Sequence, residues 1–343
     1  MSSSQTGLLA ALALSLLATG CPQATNDPAA TPSTSSKAAE AGTLVVYCGR
    51  GEALVGPLFK EFEQETGISV SVRYGKTAAL ASQLLSEGAE SPADVIFAQD
   101  SGYLGALAKQ GFLAPLPKEL LDKVDPRFRG EHWIGTSGRA RVLVVSANVP
   151  DADLPASLKD LADPKWKGKL GWAPGNSSFQ AHVSYLRHTW GEEETKAWLE
   201  AVQKNEPKVY PKNSPQVTAA IAGEIQLGWV NHYYLHRKGP NPGARNYSFK
   251  SAKDAGNVLM VAGLGIRAKS SNTSNARRLL EFLVRKSSQE YFARETFEYP
   301  TVPGIPTHTQ VPALETLGLA DVDQAHLADV GPTLKLLREL GLQ

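Results

Sequence analysis

The chain has 343 residues, enough for two ordinary domains or one large one. Hydrophobic residues make up 42% and charged residues 20%, within the range of a water-soluble globular protein. With 35 basic side chains against 34 acidic ones the formal charge is +1, which excludes a global field for nucleic acid or for bulk cation binding, so any charged ligand must be recognised locally.

The N-terminus stands apart in composition. Leu8 to Leu17 is apolar except for Ser15, a run too short for a permanent membrane span but suited to a secretory signal. Small residues Ala18, Thr19 and Gly20 then lead into Cys21, the pattern of a bacterial lipobox. The expected organisation is a signal peptide over 1–20, lipidation at Cys21 and a flexible Ala/Thr/Ser/Pro tether over 21–42. That would hold an extracytoplasmic domain to a membrane. An unlipidated signal peptide is the alternative, since no Lys or Arg precedes the apolar run. The only other cysteine is Cys48, in an apolar stretch where packing is its expected role; a lipidated Cys21 would leave it no disulfide partner.

After Gly42 strands and helices alternate. Thr43–Cys48 reads as a strand. Leu54, Val55, Leu58, Phe59 and Phe62 recur at helical spacing, with Pro57 starting or kinking the helix and Gly67 closing it. Ile68–Val72 and Asp94–Gln99 read as strands, and Thr77–Leu85 and Gly102–Lys109 as helices. Further on, Arg141–Ser146, Lys169–Trp172, Ile225–Val230 and Val258–Ile266 are predicted strands. Ser178–His188, Glu192–Val202, Asn275–Lys286 and Thr333–Leu340 are predicted helices. This rhythm argues for an α/β fold with a parallel sheet layer. If the apolar runs Arg141–Ser146 and Val258–Ile266 cross between two lobes, the first lobe comprises residues 43–141 plus about 262–312. The second then comprises 142–261 plus about 313–343, with a ligand cleft between them.

No metalloprotease helix, paired Cys-x-x-Cys, Walker loop or nucleophile elbow is present, and Gly263–Ala268 is a chance likeness to a dinucleotide loop. Two stretches carry chemistry. Val230–His236 contains the tandem Tyr233 and Tyr234 directly after a strand. On a continuing strand the pair would point to opposite faces, one into the core and one outward; both meet one ligand only if the chain turns there. A phenolate is a hard anionic oxygen donor whose ordinary pKa of about 10 is overcome by a bound multivalent cation. A trivalent ion does this best, so a paired site points to ferric iron over zinc or calcium. The second stretch, Trp172–Phe179, is a small polar turn opening a helix. Asn176, Ser177 and Ser178 there make either an anion cradle or simple helix caps.

Taken with Val46–Arg50, Ser91–Val95, Ser137–Arg141, Pro174–Phe179, Lys212–Ser214, Asn231–Tyr234 and Glu298–Pro300, in that order and spacing, the chain resembles the periplasmic ferric-ion-binding proteins of ABC iron transporters from Thr43 onward. The resemblance implies a two-lobed, hinged periplasmic-binding-protein fold of type II and no enzymatic activity. It implies ferric iron bound by Tyr233 and Tyr234, and a synergistic anion, carbonate or phosphate, against Asn176, Ser177 and Ser178 with Arg139 and Asn213 in support. Delivery would be to an ABC permease, by a monomer that does not bind nucleic acid. The chain departs from some relatives in having Arg50 and Gln99 where they carry metal ligands, and Asn176 where others have a third tyrosine. Two phenolates leave an octahedral ferric ion with four open positions. The anion, waters, or Gln99, Asp100 and Glu52 are the candidates to fill them, with Arg50 and Asn231 as further site candidates. A same-fold protein for a metal-free anion is the nearest alternative.

Overall fold

The structure is a computed structural model and describes residues 42–240, 242–324 and 326–342; Cys21, the expected signal segment and nearly all of the expected tether lie outside these. From the N-terminal side the elements are β1 (Thr43–Cys48), α1 (Glu52–Thr66), β2 (Ser69–Tyr74), α2 (Thr77–Glu87), β3 (Val95–Ala98), α3 (Ser101–Lys109) and α4 (Lys118–Leu121). Next come β4 (Arg129–Gly130), β5 (Trp133–Ser146), β6 (Leu170–Trp172), α5 (Ser177–Trp190), α6 (Glu192–Lys204), β7 (Lys208–Val209) and α7 (Asn213–Ile221). The chain continues through β8 (Leu227–Asn231), α8 (Tyr233–His236), β9 (Ala244–Tyr247), β10 (Leu259–Ile266), α9 (Thr273–Val284), α10 (Lys286–Glu295), β11 (Tyr299–Pro300) and α11 (Val330–Glu339).

Local chemistry accounts for the boundaries. Helix α1 buries Leu54, Val55, Leu58, Phe59 and Phe62 on one face and tolerates Pro57 within it. It ends where Gly67 adopts a left-handed φ of 68° and its N–H returns to the Glu63 carbonyl, the glycine cap the sequence predicts. The helix predicted over Asn275–Lys286 is α9, which stops at Val284; Arg285 is extended with ψ 158°, and a further helix, α10, which the sequence reading did not name, begins at Lys286. Apolar periodicity cannot register such a one-residue break.

The sheet runs β2-β1-β3-β10-β5-β8-β6-β7, with β4, β9 and β11 also paired to β5. It is mixed rather than parallel: β1 is parallel to β2 and β3, and β6 to β7 and β8, while β10 and β5 run antiparallel to their neighbours. Strand β5 is 14 residues long and buried throughout. Up to Ala140 it pairs with β10, and from Arg141 it pairs with β8. Only its second half was readable as a strand, because Gly135–Arg139 looks polar in sequence.

Two hydrophobic clusters flank this arrangement. One gathers side chains such as Val46, Phe62, Phe97, Leu264 and Leu280. The other is aromatic, with Phe179 edge-on to Trp229 at 4.9 Å and to Trp172 at 5.8 Å, and Trp198 against Trp229 at 5.7 Å. Leu336 and Leu337 of α11 belong to it. Each such side chain contributes roughly 1.5–3 kcal/mol on burial. Cys48 is fully buried, and burial pushes its thiol up to about 12, so it packs as a hydrophobe as expected.

The sheet decides where chemistry can gather. Arg50 follows the carboxyl end of β1, Gln99 that of β3, the Asn176 turn that of β6 and Tyr233 that of β8. Carboxyl ends of parallel strands are where α/β sheets bind ligands. Arg139 and Arg141, two residues apart on β5, share one face of that strand.

Candidate metal and anion site

Strand β8 stops at Asn231, and His232 already has helical dihedrals, φ −55° and ψ −42°, so the chain enters α8 at once. That turn supplies the condition the tandem tyrosines need. The rings of Tyr233 and Tyr234 lie side by side, 4.3 Å between centroids and inclined by 27°. Tyr233 is buried and Tyr234 half-buried. Burial pushes the Tyr233 phenol well above its ordinary pKa, and the neighbouring Tyr234 adds to this; Arg50 and Arg139 pull the other way.

His232, next to the pair, is no candidate ligand. Its Nδ1 accepts the Ala140 N–H at 3.1 Å, which leaves Nε2–H to donate to the Phe297 carbonyl at 2.6 Å. Burial, reinforced by His236, lowers its pKa to about 3 and keeps it neutral. Among the described residues no group of three or more His, Cys, Asp or Glu side chains could hold a metal ion. The stacked phenol pair is the candidate donor set.

The polar turn predicted before α5 is present and is held from several sides. Asn176 Oδ1 accepts the Ser178 N–H at 3.0 Å, so Asn176 caps α5. The two serine hydroxyls lie where polar groups from three strands converge. Gln99 Nε2 donates to Ser177 Oγ at 2.9 Å and reaches Ser178 Oγ at 3.4 Å. Ser178 Oγ also receives Asn231 Nδ2 at 3.3 Å and Arg139 Nη1 at 3.4 Å. Arg139, fully buried, ion-pairs with Asp100 Oδ1 at 2.6 Å and donates to the Gln99 carbonyl. Asn213 is buried at the start of α7, its Oδ1 accepting from Gln216 Nε2 at 3.3 Å and its Nδ2 without a partner among the described residues.

Arg50 is buried, with Nη2 at 2.7 Å from both Glu298 oxygens and with Nε and Nη1 lacking a hydrogen-bond partner among the described residues. Its charge acts on Tyr233. Glu52 behaves differently: it is exposed at the start of α1, where its charge falls on the Tyr74 phenol, and nothing among the described residues ties it to the tyrosine pair.

Sequence reasoning missed two members. Arg141 reads as the polar edge of an apolar strand, yet it is fully buried, donating to Asn231 Oδ1 at 2.9 Å and to the Trp229 carbonyl at 3.0 Å. Burial, with Arg139's charge adding, draws its pKa down to about 9. The Ser137–Arg141 motif was the available signal. Glu298 sat in the Glu298–Pro300 motif without a role; its partner Arg50 gives it one. Three buried guanidiniums thus face two buried carboxylates, leaving one unit of positive charge beside a helix N-terminus.

The profile of the bacterial extracellular solute-binding proteins matches residues 90–317. The chain belongs to this family. The matched span contains every residue of the site described above except Arg50. A relative from Serratia marcescens named Fe(3+)-binding periplasmic protein is 34% identical over 308 residues, covering 87% of this chain and 90% of that protein. The iron-bound structure of HitA from Pseudomonas aeruginosa superposes with a TM-score of 0.83 at 31% identity, covering 88% of this chain and 99% of that one. The apo ferric ion-binding protein A of Pasteurella haemolytica gives 0.80 at 27% identity, covering 88% and 98%. The chain therefore has the mixed α/β fold of the two-lobed periplasmic ferric-binding proteins, in a family of binding proteins rather than enzymes.

Proposed function

We propose that this chain is an extracytoplasmic solute-binding protein that captures ferric iron between the Tyr233 and Tyr234 phenolates, together with a small dianion, and delivers it to an ABC permease. The observation that carries this reading is the stacked phenol pair, 4.3 Å apart, presented by a chain turn at a strand end. Its relatives are named for the same cargo.

The chemistry follows from charge. Burial favours the protonated Tyr233 phenol, so only a strongly charged cation can displace that proton, and iron uptake releases protons. Two phenolates reduce a ferric ion's three charges to one. The buried guanidiniums contribute one more in excess of Glu298 and Asp100, so carbonate or phosphate as a dianion brings the site to neutrality. The anion is assigned to the Ser177 and Ser178 hydroxyls at the N-terminus of α5, with Arg139, Asn213 and Asn231 in support. Arg50, Gln99 and Asp100, on the ends of β1 and β3, close over the cargo as the two lobes come together. Lipidation at Cys21 would keep the loaded protein near its permease.

Metal-free anion binding is the second reading. The unpartnered donors of Arg50, Arg139 and Asn213 favour it. Equilibrium dialysis with ferric iron, with and without phosphate or carbonate, separates the two: anion-dependent uptake of one iron supports the main reading. Anion retention that ignores iron supports the second.

A further inference from the structure

Arg141 stands opposite Asn231 in the antiparallel β5–β8 register, at the point where β5 exchanges β10 for β8 as its partner. Its guanidinium is buried with no carboxylate within salt-bridge distance among the described residues. Its partners are neutral: the Asn231 side-chain oxygen, the Trp229 carbonyl and, 5.4 Å away, the Trp229 ring face. Buried charges are ordinarily paired, because removing an ion from water costs several kcal/mol. Arg50 has Glu298 and Arg139 has Asp100; the positive charge left over in the site is that of Arg141.

We propose that Arg141 sets the charge of the anion this site accepts, favouring a doubly over a singly charged one. The inference rests on the anion half of the proposed function. Two features carry it. By occupying Asn231 Oδ1, Arg141 fixes that amide so that its NH2 group is turned to Ser178 Oγ, 3.3 Å away. It thereby positions a donor at the cradle without touching the anion. Its own charge then adds to the helix N-terminus and Arg139, and attraction to a dianion is twice that to a monoanion at the same place. An apolar or charge-balanced residue at 141 would hold the fold but remove that preference.

The test uses the full chain, with ferric binding followed by absorbance in the presence of either oxalate or acetate. The ratio of apparent affinities in the two anions is compared between proteins, so the anions' intrinsic affinity for iron cancels. Arg141→Met is expected to lower the oxalate preference roughly tenfold, and Arg141→Lys to restore most of it. Asn231→Asp, which sets a carboxylate against Arg141, is expected to lower it as well and serves if Arg141→Met does not fold. A wild-type ratio in folded Arg141→Met or Asn231→Asp would overturn the proposal and leave Arg141 a packing residue, whatever its effect on stability. If the wild-type chain takes up no iron with either anion, the iron reading fails. Calorimetric binding of oxalate and acetate to the metal-free chain and the same variants then decides the charge preference.

Discussion

Arg50 and Glu298 are 248 positions apart in sequence, yet Nη2 of the arginine lies 2.7 Å from both carboxylate oxygens of the glutamate, and neither side chain is exposed. The pair ties the end of β1 to the segment before β11. Phe297, which precedes the glutamate, adopts a left-handed φ of 59° and is pinned by its carbonyl to His232. A strained phenylalanine at that point fixes where the carboxylate can reach. Glu298→Gln leaves a buried guanidinium with a weaker partner and is expected to cost about 3–5 kcal/mol of stability. The double change Arg50→Met with Glu298→Leu should cost less than Glu298→Gln alone. Denaturant unfolding of the three variants checks the order.

Asn176 separates capping from anion binding. Asn176→Ala removes the acceptor for the Ser178 N–H and should cost about 1 kcal/mol in unfolding experiments. Asn176→Asp keeps the cap and suits the helix dipole, so stability should be kept. The added negative charge beside Ser177 and Ser178 should nevertheless weaken anion-dependent iron uptake. A wild-type affinity in Asn176→Asp would argue against the α5 N-terminus as the anion site.

Acid should destabilise the protein through its buried histidines. His182 donates from Nε2 to the Ala255 carbonyl at 2.6 Å, and burial, with Arg141's charge adding, depresses its pKa to about 3. An unfolded histidine titrates near 6.5, so between these values the unfolded chain binds the extra proton. Stability is therefore full above about pH 6.5 and falls as the pH drops toward 3, by up to about 1.4 kcal/mol per pH unit for this residue. His182→Gln should flatten that slope. Part of it remains, because His232 is depressed in the same direction. Unfolding at a series of pH values measures both.

Gly49 is a close-approach position rather than a turn. A Cβ there would lie 2.0 Å from Thr77 Oγ1, the hydroxyl that accepts the Gln99 N–H at 3.0 Å. Gly49→Ala should displace Thr77 and, with it, Gln99. Loss of iron affinity together with loss of stability is expected, read by titration and thermal melting.

What the sequence could reveal depended on the range of the interaction. Gly67 as a cap and the helical faces of α1 and α5 are local patterns and were legible. So was the need for a turn after β8 if both tyrosines were to act together; the turn itself is a matter of His232's dihedrals. Arg141 was hidden because a charged residue at a strand edge ordinarily faces water, and only the pairing with β8 buries it. The first half of β5 was missed for the same reason: its glycines and polar side chains are buried by β4, β10 and β11, partners remote in sequence. Glu52 shows the reverse error, a carboxylate near the right strand end whose side chain stays in solvent.

The central claim is that iron is held by two phenolates, and ferric titration of the full chain in phosphate, with citrate as competitor, tests it most directly. The account predicts a saturable visible charge-transfer band of iron-bound tyrosinate that is abolished or strongly weakened in both Tyr233→Phe and Tyr234→Phe, with each variant still folded. A chain that forms no such band with phosphate or carbonate, or a band that survives both substitutions, would contradict it.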